Sequence, residues 1–238
     1  MNGMMEQDVF ELLRRNAEKY NDRQYFTGDP LIFPGKFAEM YAAGGASLQD
    51  VEVAAVIAAH LAWGRRDMIV RDCGRAMDEM CWQPFEYVMN GEYRDEDVSL
   101  HRTVKWRDFA EICRNLKRFY GQEQSLEVLS PDGMRTVVYG QKSDPGAANK
   151  KIHMLRRWMV RDDGKVDLGL WKSIDKRDLI IPLDVHVHRS AVELGITARK
   201  STDFKTAMEI TGFLRKVFPD DPVKGDFALF AVAASRNC

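Results

Sequence analysis

The chain has 238 residues, of which 45% are hydrophobic, 30% charged and 10% aromatic, a composition that supports a buried core and excludes a largely disordered protein. No apolar run approaches the roughly 18 residues of a membrane span, and the first residues lack the basic and apolar regions of a signal peptide, so we expect a cytoplasmic protein with no membrane segment. The net charge of −1 argues against a protein that coats nucleic acid with its whole surface.

The charge is distributed unevenly along the chain. Residues 1–140 carry 17 Lys and Arg against 23 Asp and Glu, whereas residues 141–218 carry 16 against 10. Such an asymmetry indicates either a face for an anionic ligand or an ordinary solvated surface.

The four cysteines show no C-x-x-C spacing, which argues against a zinc knuckle or a four-cysteine iron–sulfur site. We expect reduced thiols, three of them on apolar helix faces. These cysteines are Cys73, Cys81, Cys113 and Cys238.

Apolar residues recur near the helical period of 3.6 through most of the chain, and the prolines fall between these segments. The positions that define the pattern are Val9, Leu12, Leu13, Tyr20, Val51, Ala54, Ala55, Ala58, Leu61, Ala62, Ile69, Cys73, Met77, Met80, Trp106, Phe109, Cys113, Leu116 and Phe119. We therefore predict a single all-α domain over residues 1–238, as one compact unit or in two lobes. Trp63 and Trp158 lie on apolar faces, and we expect both in the core.

Two stretches suggest strands rather than helices. Residues 135–139 are β-prone but isolated, and a lone strand has nothing to pair with. Residues 185–188 alternate as a strand does, but Pro182 and Asp184 in front of them form a helix-entry signature, and apolar residues continue at helical spacing. We predict a helix that begins after Asp184.

The motifs that indicate a chemical function lie between Asp144 and Leu194. A turn, Asp-Pro-Gly-Ala-Ala-Asn at 144–149, delivers the chain into a predicted helix from Lys150 to Arg161. The N-terminus of such a helix can bind a phosphate group, because its first backbone N–H groups have no partner within the helix. A second helix opens at the motif Pro-Leu-Asp-Val-His-Val, residues 182–187.

Together these two motifs resemble the signature of the helix-hairpin-helix DNA glycosylase superfamily, in particular its 8-oxoguanine glycosylases and among them the archaeal branch. The resemblance implies a two-lobed helical bundle, with the hairpin and catalytic segment at about 140–195. It implies that Lys150 is the nucleophile that attacks the sugar, that Asp184 is the supporting aspartate, and that the reaction includes a lyase step. Lys151 is the alternative nucleophile.

The last predicted helix adds to the resemblance. In the superfamily, a polar residue and an aromatic four positions later read and stack the extruded base, and Asp226 and Phe230 match those positions. The resemblance implies damaged duplex DNA as the partner, no cofactor, and phosphate contacts from Gly146, Lys151, Arg157 and Arg189. We expect a monomer.

The chain also resembles, over nearly its whole length, a bacterial family with no assigned function. The recurrent blocks are Phe33-Pro34, residues 61–66, residues 157–161 and residues 178–184. One departure from the glycosylase pattern is Ala148, which stands where the superfamily hairpin has a second glycine. This departure leaves open an alternative function, a catalytically silent module that binds nucleic acid or another partner.

Three of these residues have simpler structural interpretations. Lys150 alone is typical of a solvated lysine, Asp184 of a helix N-cap, and Phe230 of a core residue. The pattern Asp184-x-His186-x-His188 also raises metal-dependent hydrolysis as a weaker alternative, but on a helix positions two apart point in different directions, so we expect no metal site.

Overall fold

The computed structural model describes residues 6–234, which contain eleven α-helices, one two-stranded sheet and five short 3-10 or π-helical segments. The predicted all-α class is therefore confirmed. Within this described part, no helix combines the length and the apolar character needed to cross a membrane. Cys238 lies outside the described residues.

The chain divides into two compact units, which we describe separately. Unit 1 contains Met1–Tyr25 and Asp144–Cys238, and unit 2 contains Phe26–Ser143. Lys150 and Asp184 both belong to unit 1, so the predicted catalytic segment lies within one compact body from its lysine to its aspartate.

Unit 1 contains five helices, and all but the second of them share one apolar core. They are α1 (Glu6–Tyr20), α8 (Lys150–Val160), α9 (Val185–Glu193), α10 (Phe204–Val217) and α11 (Gly225–Ala234). Helix α11 packs against α1 and α9. The core between these helices includes Leu13, Val187, Ile210 and Leu229, all buried.

The entry to α11 depends on a glycine. A Cβ at Gly225 would lie 2.4 Å from a methyl group of Leu214 in α10, closer than any real carbon contact. The absence of a side chain at Gly225 lets the side chain of Leu214 pack directly against the backbone at the start of α11.

Unit 2 contains the remaining helices and the small sheet. Its elements are α2 (Ile32–Ala42), α3 (Leu48–Leu61), α4 (Arg66–Glu79), α5 (Pro84–Asn90), β1 (Ser99–His101), β2 (Val104–Lys105), α6 (Trp106–Tyr120) and the short α7 (Pro131–Gly133). Helix α3 packs against α2, α4 and α5. It begins with a capping box between Ser47 and Asp50, and it is buried on every side, which explains its almost wholly apolar sequence.

The helical spacing predicted the core of unit 2 well. Every predicted apolar position in α3, α4 and α6 is buried, and so are the two that directly follow α3 and α4, Ala62 and Met80. The β-prone stretch near residue 136 is a π-helix, Met134–Val138, so its β-branched residues are accommodated in one wide turn rather than in a strand.

Two expectations about single side chains were wrong. Trp158 is buried, as expected, but Trp63 is 37% exposed because α3 ends at Leu61 and the chain turns outward before the tryptophan. Cys73 and Cys113 lie on buried helix faces, whereas Cys81 is exposed in a turn with a positive φ.

Candidate active site

The turn before α8 is held in place by its own polar groups and by the start of α10. The side chain of Asp144 accepts a hydrogen bond from the backbone N–H of Gly146 at 3.0 Å. The carbonyl of Gly146 in turn accepts from the N–H of Phe204 at 2.9 Å. Asn149 then adopts a left-handed conformation that directs the chain into α8, whose first residue is Lys150.

The second helix entry carries the aspartate. Asp184 is the N-cap of α9, and its Oδ1 accepts hydrogen bonds from the backbone N–H groups of His186 and Val187, both at 2.9 Å. This cap satisfies two amides that an α-helix leaves without an internal partner. It also uses only one carboxylate oxygen, so the second oxygen is available for another contact.

The structure brings Lys150 and Asp184 together. The Nζ of Lys150 lies 3.3 Å from Oδ2 of Asp184, and the two side chains are 32% and 27% exposed. An amine and a carboxylate from two separate helix N-termini therefore meet where solvent, and hence a ligand, reaches both. The capping role and the pairing role of Asp184 coexist because each uses a different oxygen.

Asp226 lies in the first turn of α11, where its carboxylate pairs with Arg157 of α8 and its side chain is only 13% exposed. Burial raises the pKa of Asp226 to about 6; the Arg157 guanidinium opposes the shift, and the negative charge of Asp184 adds to it.

Arg157 requires a correction. We expected it on the surface that contacts the nucleic-acid backbone, but it is 5% exposed and pairs with both Asp167 and Asp226. Its guanidinium also lies 4.8 Å from the centre of the Phe227 ring. A buried, doubly paired guanidinium is not available to a phosphate, so Arg157 positions Asp226 instead of contacting a backbone.

Arg161, directly after α8, is also buried. Its guanidinium binds Asp163 at 2.9 Å and Asp221 at 2.8 Å, and it pairs with Asp167 as well. Burial disfavours its charge, but Asp167 and Asp221 overcome that effect and raise the pKa of Arg161 above its usual value. We use the name buried ion network for Arg157, Arg161, Asp163, Asp167, Asp221 and Asp226.

No pattern in the sequence indicated that Arg157 and Arg161 pair with these carboxylates. Asp221 is 60 residues from Arg161, and Asp226 is 69 residues from Arg157. Only tertiary structure brings such groups together, and an interleaved charge pattern looks the same on a solvated surface.

The other predicted site residues are more accessible. Phe230 lies one turn after Asp226 on α11 and is partly buried, as is Lys151 in the first turn of α8. Gly146 and Arg189 are exposed, in the turn before α8 and on α9 respectively. All four belong to unit 1, together with Lys150 and Asp184.

The histidines of α9 do not join Asp184 in a ligand set. His186 is exposed, and the Nε2 of His188 lies 2.8 Å from the carbonyl oxygen of Arg199. Among residues 6–234, no group of three or more His, Cys, Asp and Glu side chains is arranged to hold a metal ion.

Taken together, these features define a helical protein with an accessible amine–carboxylate pair and a set of buried ion pairs in the same unit. The chain belongs to the family described as a protein of unknown function, DUF2400, whose model matches residues 29–137 and 129–235. No curated protein and no solved structure matches the chain.

Proposed function

We propose that this protein is a DNA glycosylase with an associated lyase activity, of the helix-hairpin-helix type, that acts on a damaged purine such as 8-oxoguanine. The observation that carries the proposal is the 3.3 Å approach of Lys150 Nζ to Asp184 Oδ2 at an accessible position. The order of Lys150, Asp184, Asp226 and Phe230 along the chain matches the order of the corresponding residues in that superfamily.

The base must leave the duplex stack before the sugar is accessible, at a cost of a few kcal/mol. Phe230 and Asp226 lie one helical turn apart on α11 and so face the same side of the helix. In the proposal, the ring of Phe230 stacks on the extruded base and the carboxyl group of Asp226 hydrogen-bonds its edge. These contacts offset part of the cost of unstacking.

The chemical step uses the amine of Lys150 as the nucleophile. The ammonium group first gives up a proton, which Asp184 is close enough to accept, and the neutral amine bonds to C1′ of the sugar. The N-glycosidic bond breaks, its electron pair leaves with the base, and the base takes up the proton. As Asp184 passes this proton to the departing base, its carboxylate becomes ionised again and faces the positive charge that develops at the sugar, and such electrostatic stabilisation is typically worth about 10²–10³ in rate.

The lyase step follows from the covalent bond. Opening of the sugar ring converts the adduct to a protonated Schiff base between Lys150 and C1′. This cation acidifies the C2′ proton, and its loss expels the 3′ phosphate, so the strand is nicked. These steps need only the amine, the carboxylate and water.

Borohydride trapping tests the proposal. A duplex with one 8-oxoguanine is incubated with the protein and sodium borohydride, which reduces the Schiff base to a stable amine and leaves protein bound to DNA. We expect the adduct with the wild type and with Lys151→Ala, and its loss with Lys150→Ala. The neighbouring lysine is a matched control because both changes remove one charge from the first turn of α8. An undiminished adduct in Lys150→Ala, or none on any lesion duplex, contradicts the proposal.

A catalytically silent nucleic-acid-binding module is the second candidate. The observation in its favour is Ala148, which stands where the superfamily hairpin has a second glycine. Binding to duplex DNA that weakens with salt, without release of a base, supports this candidate. Base release that depends on Lys150 eliminates it.

A further inference from the structure

The exposed Trp63 of unit 2 has no role in the proposed function, and it lies among arginines. The chain runs from α3 into α4 through Ala62-Trp63-Gly64-Arg65, and Arg66 is the first residue of α4. Trp63, Arg65 and Arg66 are all exposed, as is Arg102 in the turn between β1 and β2. We use the name tryptophan–arginine patch for Trp63, Arg65, Arg66 and Arg102.

The patch is positive within an acidic unit. Unit 2, residues 26–143, carries 14 Lys and Arg against 18 Asp and Glu, whereas residues 63–75 alone carry four arginines against two aspartates. Arg102 adds a further positive charge beside Trp63. A local concentration of positive charge within a net acidic unit attracts an anionic partner to the patch.

The backbone under Trp63 is held by a buried pair. The ring of His101 is fully buried, with Nδ1 at 2.8 Å from the Asp72 carboxylate and Nε2 at 2.9 Å from the carbonyl oxygen of Trp63. The indole ring also meets the His101 ring edge-on, with centres 5.5 Å apart. The contacts of the buried His101 therefore hold the exposed Trp63 in a defined position.

Arg102 reaches Trp63 through two unusual backbone conformations. Arg102 itself has a φ of 54°, in the left-handed region that a residue with a side chain seldom adopts. Its guanidinium carbon lies 4.5 Å from the centre of the Trp63 ring. Gly64 has a φ of 105°, and a Cβ there would lie 2.5 Å from Nη1 of Arg102. The conformation of Arg102 costs free energy, whereas Gly64 adopts its positive φ without steric cost and leaves room for the guanidinium. A strained residue that serves an exposed contact indicates a function outside the core.

We propose that the tryptophan–arginine patch binds single-stranded nucleic acid, with the Trp63 ring stacked on a base and the arginines on phosphates. Aromatic rings combined with a basic surface are the means by which proteins bind single strands without reading their sequence. The positive charge of the patch favours a polyanion as the partner. The exposed indole ring favours a polyanion that carries flat aromatic rings, as a nucleic acid does. The proposal does not depend on any chemistry at Lys150.

Fluorescence anisotropy of a labelled thymidine oligonucleotide of about 15 residues tests the proposal, because such a probe holds no damaged purine and reports only binding. We expect the full-length wild type to bind at low salt and Trp63→Ala to weaken the affinity at least about fivefold, with Trp63→Phe in between. Tyr41→Ala is the matched control, since Tyr41 is a 41% exposed aromatic of the same unit, and it leaves the affinity unchanged.

The salt dependence tests the arginines separately. Removal of one phosphate contact reduces the slope of log K against log salt by about 0.7 for a single strand, so Arg65→Gln and Arg102→Gln each reduce it by about that amount. Arg107→Gln is the control, because Arg107 is likewise exposed and has an acidic partner, as Arg65 has.

Three results would overturn the proposal. The first is an unaltered affinity in Trp63→Ala with an intact fold, and the second is the absence of binding by the wild type. The third is equal, patch-dependent binding of polyglutamate, which would indicate an acidic protein partner instead.

Discussion

Two sets of ion pairs lie in unit 1, and they differ in exposure. The pair of Lys150 and Asp184 is about 30% exposed on both sides, whereas Arg161 is buried and is bound by three carboxylates. Removing one partner of a buried pair leaves a charge without compensation, whereas an exposed pair contributes little to stability. We infer that the buried ion network holds the fold and that the exposed pair is available for chemistry.

Asp226 connects the two sets. It pairs with Arg157 inside the network, and its pKa responds to the charge of Asp184 in the exposed pair. A change in the network at Arg157 therefore also alters the electrostatics near the proposed nucleophile.

The largest expected loss of stability is at Arg161. Arg161→Ala leaves Asp163, Asp167 and Asp221 without their shared cation, and we expect the free energy of unfolding to fall by about 3–5 kcal/mol. Urea unfolding followed by circular dichroism measures it. Lys172→Ala, which breaks the exposed pair with Asp162, serves as the control and changes stability by less than about 1 kcal/mol. A loss at Arg161 no larger than that of the control contradicts a structural role for the network.

The next largest effect is on base release at Asp184. Asp184→Asn removes the negative charge but keeps an oxygen that caps α9, since asparagine is a good N-cap. We expect base release from the lesion duplex to slow about 10²–10³-fold while the unfolding midpoint changes little. Asp184→Ala loses the cap as well and costs about 1 kcal/mol of stability. An active Asp184→Asn variant would show that the charge has no catalytic role.

Asp226 makes stability depend on pH. Its pKa in the folded state is about 6, above the usual value near 3.9 in an unfolded chain, so the folded state binds its proton more tightly. The resulting stabilisation is complete below about pH 4 and is lost as the pH rises through about 6. Relative to Asp226→Asn, the wild type should therefore lose on the order of 1–3 kcal/mol between about pH 4 and 7. A pH-independent difference between the two unfolding curves would contradict this shift.

The smallest expected effect is on stability at Lys150. Because the pair with Asp184 is partly exposed, Lys150→Ala should change the free energy of unfolding by less than about 1 kcal/mol. Thermal unfolding beside Lys151→Ala measures it. A loss of several kcal/mol would place Lys150 among the structural ion pairs and remove the contrast between the two sets.

The sequence predicted what local spacing determines. The helical class, the core faces of α3, α4 and α6, and the start of α9 after Asp184 all follow from apolar periodicity and capping residues. The proximity of Lys150 and Asp184 was expected from the resemblance to a known superfamily, because no local pattern links two helix entries 34 residues apart. The burial of Arg157 and Arg161 escaped prediction because carboxylate partners of both lie in distant segments.

Trp63 shows the same limit of local spacing. Its apolar neighbours in α3 suggested a core position, but the helix ends two residues earlier, and the helix end decides whether the side chain points inward. In the turn that follows α3, Nε2 of His101 lies 2.9 Å from the carbonyl oxygen of Trp63. Sequence periodicity carries no information on that contact.

Mass spectrometry of the borohydride-trapped protein tests the central claim most directly. After nuclease and protease digestion, the peptide that carries the reduced sugar remnant identifies the amine that bonded to C1′. The account predicts a single modified residue, Lys150, with base release and modification in equal amounts. Modification at another lysine, or base release that leaves Lys150 unmodified, would contradict it.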